Sequence, residues 1–121
     1  MNEYKLIVAG GRDFNDYDLL SRVLIAMADV ELADKAVSIV SGMARGADAL
    51  AVRFAKEHDV TLYEFPAQWD DYGKYAGYYR NKKMGNFSDA LLAFWDGKSR
   101  GTKHMIDYMQ GLGKPVHIVN Y

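Results

Sequence analysis

The 121-residue chain contains no cysteine. That excludes disulfides, thiolate metal sites, iron–sulfur clusters and cysteine nucleophiles, and it suits a reducing compartment. No apolar run approaches the ~18–20 residues that a membrane span needs. The opening Met1-Asn2-Glu3-Tyr4-Lys5 lacks the basic region and cleavage site of a signal peptide. A cytoplasmic protein without a membrane partner is the expectation. Charge of one sign is also missing: 15 basic residues meet 16 acidic ones, a net of −1. No global field advertises nucleic acid, so the charge balance weighs against that partner. What remains is half hydrophobic and 26% charged, the composition of an ordinary globular chain. Its length fits one domain spanning residues 1–121.

Five short apolar runs alternate with helical patterns. Tyr4–Ala9, Ala36–Ser41, Val60–Phe65, Ala90–Trp95 and Pro115–Val119 read as strands. Several are almost continuously apolar, as in strands covered on both faces. Between them the period changes to 3.6. Leu20, Val23, Leu24, Met27 and Val30 form one stripe, and Ala47, Leu50, Ala51, Phe54 and Ala55 a second. Met105, Ile106, Met109 and Leu112 form another, ahead of Gly113. Tyr72–Phe87 is a weaker helical stretch, interrupted by Gly77. The alternation predicts an α/β fold: a single Rossmann-like three-layer α/β/α domain with a mostly parallel five-stranded sheet.

Ligands of such sheets bind outside the carboxyl ends of the strands. Three of the loops there hold six of the 11 glycines and three of the six arginines. They supply Gly10, Gly11 and Arg12; then Ser41, Gly42, Arg45, Gly46 and Asp48; then Gly97, Ser99, Arg100, Gly101 and Thr102. Glycine lets backbone approach a ligand, helix-end amides favour anions, and arginine adds bidentate charge. The set reads as a phosphate-binding rim. It matches neither a Walker A loop nor a GxGxxG turn. Asp48 reads equally as a helix cap or a ligand contact, Asp96 as an Asp-Gly turn or a catalytic carboxylate, and Asp13 as a loop or cap residue. Trp69 and Tyr72, ahead of the basic run Arg80-Asn81-Lys82-Lys83, are candidates for base stacking. The segment Trp69–Tyr79 could instead bury a subunit interface. His58, His104 and His117 lack metal-ligand spacing and read as structural or exposed. No cofactor is required and no metal site is read, although a phosphate ligand can bring Mg²⁺ with it.

Ser41-Gly42-Met43-Ala44-Arg45-Gly46-Ala47-Asp48 resembles the SGxARGxD signature of the SLOG superfamily of Rossmann-like nucleotide-binding proteins. That group includes the DNA-processing protein A (Smf) family and the Lonely Guy (LOG) phosphoribohydrolases. With Gly10–Phe14, Phe65–Met84 and Phe94–Ile106, the chain is most similar to the short YspA-like SLOG family of bacteria and their phages. Arg80-Asn81-Lys82-Lys83-Met84 resembles the RKxxM element of the LOG enzymes, which implies an anchoring or catalytic role for Arg80 and a contact from Asn81. Gly101-Thr102-Lys103-His104-Met105 resembles their PGGxGTxxE loop, but Met105 stands in place of the glutamate. Cleaving an N-glycosidic bond needs a carboxylate near an oxocarbenium-like centre, which methionine cannot supply. Asp96, Asp48 or Asp13 would have to substitute. The resemblance therefore implies binding of a nucleotide-derived small molecule, as a sensor or sequestering protein. N-glycosidase action on a nucleoside 5′-monophosphate through Arg80 and Asp96 is the alternative, and single-stranded DNA binding a second one. It also implies a homodimer or higher homo-oligomer.

Overall fold

A computed structural model describes residues 2–121. The elements run β1 (Glu3–Gly10), α1 (Tyr17–Ala26), β2 (Ala36–Ser41), α2 (Ala47–Glu57), β3 (Leu62–Glu64), α3 (Trp69–Tyr72), α4 (Ala76–Phe87), β4 (Ala90–Trp95), α5 (Arg100–Gly111) and β5 (Val116–Asn120). All strand pairs are parallel, in the order β3-β2-β1-β4-β5. The expected three-layer architecture is present.

Side-chain alternation in β1 sorts the two cores. Leu6 and Val8 face α1 and α2, joining Leu20, Leu24, Ala51 and Phe54. Ile7 and Ala9 face α4 and α5, joining Met84, Met105, Ile106 and Met109. Every one of these is buried. Successive residues of a strand point to opposite faces, so a helix must cover each side.

Helix ends follow local chemistry. The Asp16 carboxylate accepts from the Leu19 amide at 3.0 Å and starts α1. The Ser99 hydroxyl accepts from the Thr102 amide at 3.4 Å and starts α5. The start of α2 does not use Asp48 as its cap, one of the two readings of that residue. Gly46 is its N-cap and contributes no side chain. The Ala47 amide instead donates to the Gly11 carbonyl at 3.2 Å, which ties the first loop to the second.

β1 and β5 shift from their expected bounds by one residue at each end, and three departures are larger. The third strand is Leu62–Glu64, shorter than Val60–Phe65, because it is an edge strand paired only to β2. The α1 stripe ends early: Met27–Glu31 form a π turn closed by the Leu32 amide on the Met27 carbonyl. That extra residue per turn rotates Val30 outward, 77% exposed, and brings Leu32 into the core. The helical stretch from Tyr72 breaks at Gly73 (φ +58°) rather than at Gly77, with a 3₁₀ turn over Gly73–Tyr75 before α4.

Gly46 carries the tightest constraint on the loops. Its φ is +79°, and a Cβ there would overlap the Gly11 carbonyl and the Arg12 backbone. Gly46→Ala is expected to destabilise the fold by about 1–3 kcal/mol or more, since strain and overlap add. Urea unfolding of the variant beside the parent checks this.

Candidate functional site

The order of the sheet reverses at β1. Strands β2 and β3 lie to one side of it, and β4 and β5 to the other. Chains leaving β1 and β4 therefore diverge to opposite faces and open a crevice. A cavity of about 780 Å³ lies there.

Its floor is the end of β1 and the loop after it: Ala9, Gly10, Gly11, Arg12 and Asp13. Ala44, Arg45 and Asp48 come from the second loop and α2. Asp96, Ser99, Gly101 and Thr102 come from the loop after β4 and the start of α5. Trp69, Arg80 and Asn81 close the remaining side. So most of the expected rim converges on one space.

Some expected residues stand elsewhere. Ser41 is fully buried beneath the second loop, where its hydroxyl donates to the Asp48 carbonyl and accepts from the Met43 amide, both at 3.1 Å. Gly42 borders an adjoining depression with Met43 and Pro66. Gly46, Gly97 and Arg100 do not line the cavity, and Tyr72 faces away from it, against Tyr79 with ring centroids 4.6 Å apart. Lys74, Gly77, Tyr78 and Met84 line it without having been singled out for that role. Lys74 lies in the 3₁₀ turn and the other three lie along α4, and nothing local in the sequence shows which way a helix face points. Met105, only 1% exposed, also borders the space.

Arg80 is the most constrained of the cavity's arginines. Its Nη1 donates to the Gly42 carbonyl at 2.5 Å and its Nε to the Asn81 side-chain oxygen at 3.0 Å. A Cβ on Gly42 would lie 2.6 Å from Arg80 Nη1 and 2.9 Å from Asp48 Oδ2. A side chain there would have to displace the guanidinium or the carboxylate. Burial lowers the Arg80 pKa, against the pull of the Asp48 carboxylate. A guanidinium stays charged regardless.

Asp48 is 5% exposed. Its Oδ2 accepts from the Ala44 amide at 3.3 Å. Burial raises its pKa to about 6, with Arg80, the Ala44 and Gly10 amides and Arg12 opposing the rise. Asp96 is the reverse case. Its Oδ1 accepts from the Ser99 and Lys98 amides, each at 2.8 Å, and these bonds hold its pKa below the usual carboxylate range. Asp13 accepts from the Tyr121 hydroxyl at 2.6 Å. Burial, then this bond, raises the Tyr121 pKa. His58 stacks on Phe54, and His117 on β5 lies 3.2 Å from Glu31. Both are outside the site.

Residues 4–72 match the family described as YspA, cpYpsA-related SLOG. The Gene 61 protein of Mycobacterium phage D29 is 34% identical over 119 residues, covering 93% of each chain. The class of protein is thus a Rossmann-like SLOG domain with its cavity at the switch point. More particularly, the chain belongs to the YspA, cpYpsA-related SLOG family. DNA processing protein A of Streptococcus pneumoniae superposes on it with a TM-score of 0.77 at 16% identity, over 99% of this chain and 51% of that one. The chain thus spans about half the length of that protein. A second solved structure, TM1055, gives 0.65 at 19% identity, over 96% of this chain and 72% of its own. DNA processing protein A of Helicobacter pylori, solved for its single-stranded DNA binding mode, gives 0.63 at 22%, over 98% and 66%. These likenesses concern the fold.

The raised pKa of Asp48 has a measurable sign. Its folded value, about 6, lies above the unfolded carboxylate value. The unfolded chain therefore releases this proton first, so this group's contribution to stability is full below pH ~4 and is lost as pH rises to about 6. The Asp48 carboxyl carbon shift should titrate near pH 6. Arg80→Met, which removes the largest opposing charge, should move that midpoint higher.

Proposed function

We propose that this protein binds a nucleotide or nucleotide-derived small molecule through its phosphate, as a sensor or sequestering protein. The observation that carries the reading is the convergence of Arg12, Arg45 and Arg80 on one cavity with the glycine-lined end of β1. Gly10 and Gly11 put main chain on the cavity wall, and the amides near the start of α5 favour an anion. Trp69 and Tyr78, on the opposite wall, supply aromatic surface for a base. The space of about 780 Å³ falls within the ~300–1,000 Å³ of small-molecule sites. Any Mg²⁺ would arrive with the phosphates.

A second reading, N-glycosidase action, draws on one observation. Asp48 combines a place on the cavity wall with a pKa of about 6, the range suited to moving a proton at neutral pH. That favours Asp48 over Asp96 as the substitute carboxylate, because two amides already occupy one oxygen of Asp96 and hold it ionised. Met105 supports binding over turnover, since it leaves the neighbouring wall apolar. Single-stranded DNA binding is the activity named for the Helicobacter pylori neighbour. Here the cavity cations are offset by Asp13, Asp48 and Asp96, which disfavours a run of phosphate contacts.

The test is incubation of the protein with nucleoside mono-, di- and triphosphates and NAD-type dinucleotides, followed by chromatography of the solution. Stoichiometric depletion of one intact compound is expected. Catalytic release of free base would establish the glycosidase instead. Retention of none, together with salt-sensitive binding of single-stranded DNA, would overturn the small-molecule reading. Arg80→Met should weaken the retained ligand by roughly 10–150-fold, the loss of one charged hydrogen-bonding partner of ~1.5–3 kcal/mol.

A further inference from the structure

Asn81 is buried, and its amide has each partner assigned. Its oxygen accepts from Arg80 Nε at 3.0 Å. Its nitrogen donates to the Gly101 carbonyl at 3.2 Å and lies 3.1 Å from Nδ1 of His104. Arginine Nε can only donate, and a backbone carbonyl can only accept. These two obligate partners fix which way the amide points. The NH₂ group then faces the imidazole, so His104 Nδ1 must be an unprotonated acceptor, with the ring hydrogen on Nε2. A proton on Nδ1 would set donor against donor. Flipping the amide would only move the conflict to Arg80 Nε and the Gly101 carbonyl.

We infer that His104 is a positioning residue for Arg80: while neutral, it accepts from the Asn81 amide in the one orientation that also orders the guanidinium across the cavity, and its protonation sets donor against donor and breaks that arrangement. The relay joins α5, α4 and the second loop, since Arg80 also bonds the Gly42 carbonyl. The groups facing His104 tune it. Burial and then Lys82 on α4 disfavour the imidazolium, and Asp107 on α5 favours it. The Tyr78 ring of α4 packs edge-on at 4.6 Å, and Tyr108 of α5 lies at 6.3 Å. The consequence for ligands rests on Arg80 serving as the anion anchor.

The experiment uses the full, ligand-free chain, labelled with ¹⁵N and followed by NMR from pH 8 to 5. The Asn81 side-chain amide pair and the Arg80 Nε–H signal are expected to change with the midpoint of the His104 ring. Asp48 also titrates near Arg80, so His104→Gln separates the two. Glutamine supplies an accepting oxygen that does not titrate, so the His104-linked step of the Asn81 amide pair should be gone and any shift that is left belongs to Asp48. His104→Lys, a fixed cation with no acceptor, should show the released spectrum already at pH 8. Sulfate, which keeps its charge throughout, is the anion probe. At pH 8 His104→Lys should bind it about tenfold more weakly than His104→Gln, although lysine adds a positive charge. An Asn81 amide pair indifferent to His104 ionisation, or equal sulfate affinity in the two variants, overturns the inference. Failure of sulfate to bind any version, with the amide response intact, overturns the anchor reading and leaves the coupling of His104 to Arg80 standing.

Discussion

Strand β1 is paired on both edges and covered on both faces, and the rest of the molecule is arranged to satisfy it. Its backbone groups bond β2 on one side and β4 on the other. Leu6, Ile7 and Val8 are completely inaccessible to water. A parallel neighbour requires a crossover connection, and crossovers are right-handed. Growing the sheet first to one side of β1 and then to the other therefore places α1 and α2 on one face and α4 and α5 on the opposite face. The crevice between the diverging loops follows from that winding.

Within the crevice, contact is limited by glycine. Gly46 lets α2 begin directly against the first loop, and Gly42 lets the Arg80 guanidinium and the Asp48 carboxylate approach from opposite sides. Burying a cation beside an acid lowers the cost of each, but incompletely here, because Asp48 remains easier to protonate than an exposed aspartate. A buried acid with a pKa of about 6 next to a fixed guanidinium lets the charge of the cavity vary near neutrality. An anion arriving at Arg80 would further favour the protonated acid, so ligand and proton are linked in sign.

The three aspartates of the site illustrate how environment divides one residue type into three roles. Asp96 is held ionised by amides of its own turn. Asp13 is engaged by the Tyr121 hydroxyl, which reaches it from the far end of the chain. Asp48 is sealed under the second loop. Asp13 and Asp96 stand in loops just after β1 and β4, and Asp48 in the first turn of α2, but nothing in the neighbouring residues shows which of the three is buried.

Local patterns were sufficient for the scaffold. The β2 and β4 boundaries, Ala36–Ser41 and Ala90–Trp95, were legible because each is a mostly apolar run ended by a polar or glycine-containing loop. The SGxARGxD segment and Arg80-Asn81 pointed to the family and the rim, since loop glycines and arginines carry their chemistry in the residue type itself. The π turn at Met27–Glu31 was not legible, because a one-residue change of phase leaves composition untouched. Nor was the role of His104: its distance from Asn81 along the chain is 23 residues, and its protonation state is dictated by two partners of Asn81 that meet only when α4 packs on α5. Residue types and their periodicity determine which strands and helices form and which loops carry charge. Which acid is buried, which arginine is held and which histidine must stay neutral depend on distances across the fold, because desolvation and hydrogen bonding act through space rather than along the chain.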